Sequence, residues 1–93
     1  MLVYKASYRY LDEGVHGEVV DFPGVITFGR NIKETRHLLS GALVDMAETN
    51  ILMGEALPVP NAKLRNPDAD FEEPIHLILN ASIEVKVRPQ ALI

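Results

Sequence analysis

The sequence contains no cysteine. That excludes a disulfide framework and thiolate chemistry. An excess of basic charge is also missing: nine Lys and Arg stand against thirteen Asp and Glu, for a formal net charge of −4. Nucleic-acid surfaces need a basic stripe, so direct nucleic-acid binding by this chain is not expected. The same balance permits docking onto a basic protein partner. No apolar run approaches the roughly 20 residues of a membrane span. The opening stretch "MLVYKASYRY" lacks the apolar core of a signal peptide. The expectation is a soluble cytoplasmic protein without membrane association. There are no internal repeats and no low-complexity tract.

What is present is enough for one folded domain. The chain has 93 residues, 47% of them apolar, within the usual span of a single domain and too apolar for disorder. A chain this short buries a modest core, and association often supplements its stability. A homo-oligomer, dimer or tetramer, is therefore expected.

The N-terminal third alternates. Leu2, Tyr4, Ala6, Tyr8 and Tyr10 fall on one face; Val3, Lys5, Ser7 and Arg9 fall on the other. This period of two predicts a half-buried strand. Asp12 to Gly14 reads as a hairpin turn, with Gly14 available for a positive φ, and "VHGEVVDF" as the returning strand. Gly17 inside it marks a bulge or a close backbone approach. "PGV" turns again, and a short third strand ends at Gly29. Asn31 reads as an N-cap with Glu34 three residues later, close to a capping box. One helix is predicted from Ile32 to about Met53, with Gly54 at its C-terminal stop. Its apolar stripe includes Ile32, Leu39, Ala42, Leu43 and Met46. Leu38, Ile51 and Leu52 make it wider than one small sheet readily covers. Gly41, in mid-helix, is read as permitting close packing on the sheet.

Residues 55–74 read as a mobile, proline-rich connector. Pro58, Pro60, Pro67 and Pro74 argue against a regular element within it. Alternation then returns. Ile75, Leu77, Leu79, Ala81, Ile83, Val85 and Val87 interleave with a polar set that only Ile78 breaks. From Ile75 to Arg88 a strand would span about 46 Å at roughly 3.3 Å per residue. A compact domain of this length is roughly 32 Å across. Such a strand either bends or pairs with a second chain. The second option makes Leu77, Ile78, Leu79, Ile83 and Val85 a candidate self-association strand. The element order is β-β-β-α-β, in the α+β class.

Catalytic spacing is absent. Asp12, Glu13, Glu18, Asp21 and Glu84 fall on strands or turns. Asp12 and Glu13 read as turn residues, Asp21 as a cap of the "FPG" turn, and Glu18 and Glu84 as members of solvated faces. Two-metal chemistry needs carboxylates converging on ions about 4 Å apart. His16, His37 and His76 lie on different elements with no ligand spacing. The glycines of "FPGVITFGR" match neither G-x-G-x-x-G nor a P-loop, and no serine sits on a G-x-S-x-G elbow. No catalytic residue, metal ligand or cofactor is expected.

An ordered set of features nonetheless resembles the HicB-like antitoxin family. These are Phe22-Pro23-Gly24, the short strand from Val25 to Gly29, Asn31 to Glu34 at the helix start, and Leu57-Pro58-Val59-Pro60. The resemblance runs from Tyr4 to about Val87. It assigns Phe22, Pro23, Gly24, Gly29, Asn31, Glu34, Pro58 and Pro60 to the family motif as structural residues. It implies a partial ribonuclease H-like fold: a three-stranded meander, a long helix and a long last strand. It also implies a partner, a small basic mRNA-cleaving toxin of the HicA type, which the antitoxin binds and neutralises. Many members add a DNA-binding domain; this sequence ends at Ile93, so operator binding by it is not expected. Two alternatives stand beside the antitoxin reading. One is a minimal metal-dependent nuclease using Asp21 with Glu18 or Glu84. The other is an orphan oligomeric scaffold.

Overall fold

A computed structural model describes residues 2–79. Four strands and one helix follow one another: β1 (Leu2–Leu11), β2 (Gly14–Val19), β3 (Ile26–Gly29), α1 (Ile32–Leu52) and β4 (Phe71–Leu77). The strands form one sheet in the order β3-β2-β1-β4, and every neighbouring pair is antiparallel. The α+β class and the β-β-β-α-β order are as the sequence predicts. Among the described residues no helix is long and apolar enough to cross a membrane.

The helix is framed by its own sequence. The Asn31 side chain accepts the Glu34 N–H at 2.8 Å, and the Glu34 carboxylate accepts the Arg30 N–H at 3.0 Å. Two of the N–H groups near the helix start are thereby satisfied. At the other end Gly54 N–H donates to Ile51 and Glu55 N–H to Asn50. Gly54 takes φ 74° there, the left-handed residue of a Schellman stop.

One face of the sheet carries Tyr4, Ala6 and Tyr8 of β1, Val15 and Val19 of β2, and Ile75 and Leu77 of β4, all buried. Helix α1 covers it with Thr35, Leu39, Leu43 and Ala47, a stripe one residue wide at every fourth position. Phe22 and Val25 close the end of the core, with the Phe22 ring 5.3 Å from that of Tyr4. The helix lies tight against β2 and β3 because two glycines let it. A Cβ at Gly17 would meet Thr35 Cγ2 at 2.8 Å, and one at Gly29 would meet Thr35 N at 2.8 Å. The Thr35 hydroxyl, 2.8 Å from the Asn31 carbonyl oxygen and 3.1 Å from that of Val15, ties the first turn to β2. Gly17 is thus a close approach.

Several local expectations need correction. The first hairpin turns on Asp12 and Glu13; Gly14 is already paired with Leu11. Its φ is not positive. What Gly14 needs is room, since a Cβ would sit 2.3 Å from the Gly29 carbonyl oxygen. Among the described residues Gly41 does not pack on the sheet, for a Cβ there would meet no atom within 4 Å. The connector is shorter than 55–74, because its last four residues belong to β4. Pro74 sits inside that strand, opposite Lys5. An outer strand tolerates proline because one of its sides lacks a hydrogen-bonded neighbour. The helix stripe is not wholly covered either: Leu38, Ile51, Leu52 and Met53 remain exposed. Strand β4 starts at Phe71, ahead of the expected Ile75, and ends at Leu77; Ile78 and Leu79, expected within it, follow outside the strand, and Ile83, Glu84 and Val85 lie outside the described residues.

Candidate interaction surface

Strand alternation turns Val3, Lys5, Ser7 and Arg9 of β1 to the face opposite the helix. In register beside them stand His16 and Glu18 of β2, Ile26 and Phe28 of β3, and Glu72, Pro74 and His76 of β4. The sequence places Glu18 on a solvated face. Instead the segment between α1 and β4 lies across it as a strap.

The strap is held by directional bonds. The Asp21 carboxylate accepts Lys5 N–H at 2.9 Å with one oxygen and Asn61 N–H at 2.8 Å with the other. It is 5% exposed. Lys5 Nζ donates to the carbonyls of Ala62 and Leu64, each at 2.7 Å. Tyr4 hydroxyl donates to Pro58 carbonyl at 2.7 Å. Asn66 spans three strands at one register level. Its Nδ2 donates to Ser7 Oγ and Glu18 Oε1, and its backbone N–H to Glu72 Oε2. Farther on, Asp70 bonds β1 twice, giving its N–H to the Tyr8 carbonyl and accepting that of Tyr10. Among the described residues no buried side-chain N or O lacks a partner. The connector expected to be mobile is therefore tied to the sheet at six residues.

This arrangement decides what the carboxylates do. Asp21 does not cap the "FPG" turn; it joins β1 to the strap. Glu18 is not on a solvated face; it lies under Asn66. Among the described residues no group of three or more His, Asp or Glu is placed to hold a metal ion. The histidines do not converge. His16 pairs with Arg9 and His76 with Val3, six positions apart along β1 and so about 20 Å apart. His37 is exposed on α1.

On the helix side, Arg36 binds Glu73 of β4 through two nitrogens, at 2.8 and 3.1 Å. The guanidinium lies 5.6 Å from the centre of the Phe71 ring, which stacks on Tyr8 at 4.8 Å and Tyr10 at 6.1 Å. The Arg36 hydrogen bond holds the Glu73 carboxyl below its usual range. Burial, reinforced by Glu73, pushes the Tyr8 phenol well above its usual value.

The residues that carry the resemblance lie in the core, in turns, at the helix cap and along the strap. Phe22 is core, Pro23 is exposed, and Gly24 carries the turn at φ 93°. Gly29 admits the helix, and Asn31 and Glu34 cap it. Pro58 takes the Tyr4 bond, and Pro60 directly precedes the anchored Asn61. Among the described residues the exposed surface includes the two outer strands and several apolar side chains. Ile26 and Phe28 of β3 are 56% and 48% exposed, and Ile78 and Leu79 beyond β4 are 66% and 43% exposed.

No family model matches the chain, and no curated protein matches it. Solved structures do. The fold is similar to the N-terminal domain of the antitoxin HicB of Burkholderia pseudomallei, at 19% identity and TM-score 0.65, covering 84% of this chain and all of that one. It is similar to the B. pseudomallei antitoxin HicB, at 17% identity and TM-score 0.66, over 99% of this chain and 86% of that one. A chain of a HicA3 and HicB3 toxin–antitoxin complex matches at 20% identity and TM-score 0.55, over 71% of this chain and 73% of that one. The chain has the fold of those antitoxin structures.

Proposed function

We propose that this chain is an antitoxin-type interaction protein of the HicB kind, which holds a small basic HicA-type ribonuclease in an inactive complex. One observation carries the reading. The fold shared with HicB extends over most of this chain and over the whole of that N-terminal domain. Two physical features support it. The chain is acidic, at −4, and an acidic protein is drawn to a basic RNA-cleaving partner by long-range attraction. Lys5, Ser7, Glu18 and Glu72 of the sheet are spent on holding the strap, which leaves outer strand and exposed apolar side chains such as Ile26 and Phe28 as surface that a partner can cover. Blocking a ribonuclease requires only that its RNA-binding surface be covered.

The test is to purify the chain with the small basic protein encoded beside it and measure binding by calorimetry. A complex with micromolar affinity or better is expected, weakening as salt rises, together with loss of RNA cleavage by the partner. Absence of a complex at micromolar concentration, with both proteins folded, would falsify the reading.

A further inference from the structure

Nothing within the described residues explains a glycine at Gly41. It lies in the interior of α1, where glycine costs about 1 kcal/mol relative to alanine. Its φ is not positive, and a Cβ would meet no atom within 4 Å. At helical spacing Leu38, Gly41, Asp45, Glu48 and Leu52 fall on one face, turned away from the buried stripe of Thr35, Leu39, Leu43 and Ala47. Leu38, Gly41, Asp45 and Leu52 are exposed and Glu48 is half-buried. Among the described residues the ion pairs are Arg30–Glu34 and Arg36–Glu73, and neither involves Asp45 or Glu48. From residue 38 to residue 62 the sequence holds Asp45, Glu48 and Glu55 and no lysine or arginine.

We infer that this outer face of α1 is the docking surface for an amphipathic helix of a basic protein, packed closest at Gly41. The inference deepens the antitoxin reading and rests on it for the partner's basic character. Charge selects the occupant. Asp45 and Glu48 stand in a stretch without basic residues, and the last turn of α1 has none either, although cations stabilise a helix C-terminus. Lysine or arginine side chains of a partner answer both needs. A second copy brings the same two carboxylates and is repelled, as are RNA and an anionic membrane. Shape selects a helix. Packed helices have axes about 8–10 Å apart, and a position without a side chain at the crossing permits the closer approach. Leu38 and Leu52 flank that crossing, about 4.5 and 16 Å from Gly41 along the axis, and offer apolar contacts on either side. The exposed patch on β3 fits such a partner less well. Ile26 and Phe28 stand beside Glu18 and His16, and Glu18 is already bonded to Asn66.

Calorimetry of the full chain with the small basic protein encoded beside it tests the inference. Gly41→Leu weakens the complex about tenfold or more, because the added side chain holds the partner helix off. The free variant melts no lower than the parent chain, since leucine is the better helix former. Asp45→Lys combined with Glu48→Lys weakens the complex about tenfold or more and flattens its salt dependence. Asp12→Lys combined with Glu13→Lys makes the same change of net charge on the exposed first hairpin turn. It shifts affinity by less than about threefold, which separates local contact from overall attraction. A complex indifferent to Gly41→Leu and to the two lysines on α1 overturns the inference and leaves the antitoxin reading standing. If the parent chain forms no complex, the antitoxin reading fails and a synthetic amphipathic peptide of leucine and lysine, about 14 residues or four turns long, decides the inference. Amide NMR shifts confined to residues 37–55 and abolished by Gly41→Leu support it; shifts elsewhere, or none, overturn it. A free chain that Gly41→Leu destabilises, or whose light-scattering mass falls on that substitution, also overturns it, because the face is then covered by the chain itself or by a second copy.

Discussion

The two faces of the sheet are covered by different means. The helix side is closed mainly by side-chain packing: Leu39, Leu43 and Ala47 of α1 lie against Tyr4, Ala6, Tyr8 and Ile75, with directional bonds to the sheet from Thr35 and, at the rim, from the exposed Arg36. The opposite side is closed by a segment without regular structure that buries few apolar groups and holds on through Asp21, Lys5, Asn66 and Asp70. Packing is non-directional and grows with apolar area removed from water. Hydrogen bonds contribute about 1 kcal/mol each, and more where a charge takes part. The helix cover should therefore carry most of the stability, and the strap should govern local opening.

The largest break in that contrast is Leu43→Ala. Leu43 is fully buried, and removing such a side chain costs about 2–5 kcal/mol. Urea unfolding should lose that amount in one transition, with strap and helix exchanging their amide hydrogens together. A loss below about 1 kcal/mol would mean that the helix is not the main cover.

Asp21→Ala tests the other face. It removes both acceptors of Lys5 N–H and Asn61 N–H and should cost about 2 kcal/mol. Its effect should be local: amide exchange rising between residues 57 and 66 before it rises in α1. Uniform loss of protection would place the strap in the same cooperative unit as the helix.

The same contrast explains which features can be read from the sequence. Each helical boundary is written in residues whose local chemistry has few alternatives: Asn31 with Glu34 at one end, Gly54 at the other. Alternation in β1 names the buried tyrosines because period two and a one-sided core coincide. The strap has no period. Asn66 reaches Ser7 and Glu18 across about 50 intervening positions and more, and nothing at any of the three points to the others. A proline-rich run reads as loop whether it is free or tied down. Pro74 misleads for a related reason, since the rule against strand prolines depends on whether the strand is an outer one, which is a fact of topology. Thr35 is likewise silent in sequence, because its place against Gly17 and Gly29 exists only after the helix docks.

Gly41→Ala sharpens the comparison from within the helix. Gly41 lies on α1 but away from the sheet, with open space where a Cβ would go. Alanine there should add about 1 kcal/mol through helix propensity alone and raise the melting temperature. A decrease would mean that the position contacts something, a second copy included.

The smallest effect is expected where the two covers meet. Glu72 and Glu73 are consecutive and so turn to opposite faces: Glu72 accepts the Asn66 N–H of the strap, and Glu73 the Arg36 guanidinium of the helix. The Arg36 hydrogen bond lowers the folded-state pKa of Glu73. A lowered carboxyl contributes stability above its unfolded pKa and loses it as pH falls through the folded value. The Arg36–Glu73 contribution should thus be intact at pH 6 and fade below about pH 4.5. Arg36 is 48% exposed in its side chain and Glu73 29%, so solvent and salt screen the pair and about 0.5 kcal/mol is expected. Glu73→Gln should lower stability by that amount at pH 6, with the difference from the parent chain closing toward pH 3 and shrinking in high salt. A difference that persists at pH 3 would assign the role of Glu73 to packing against Tyr8 and Phe71 instead of to its charge.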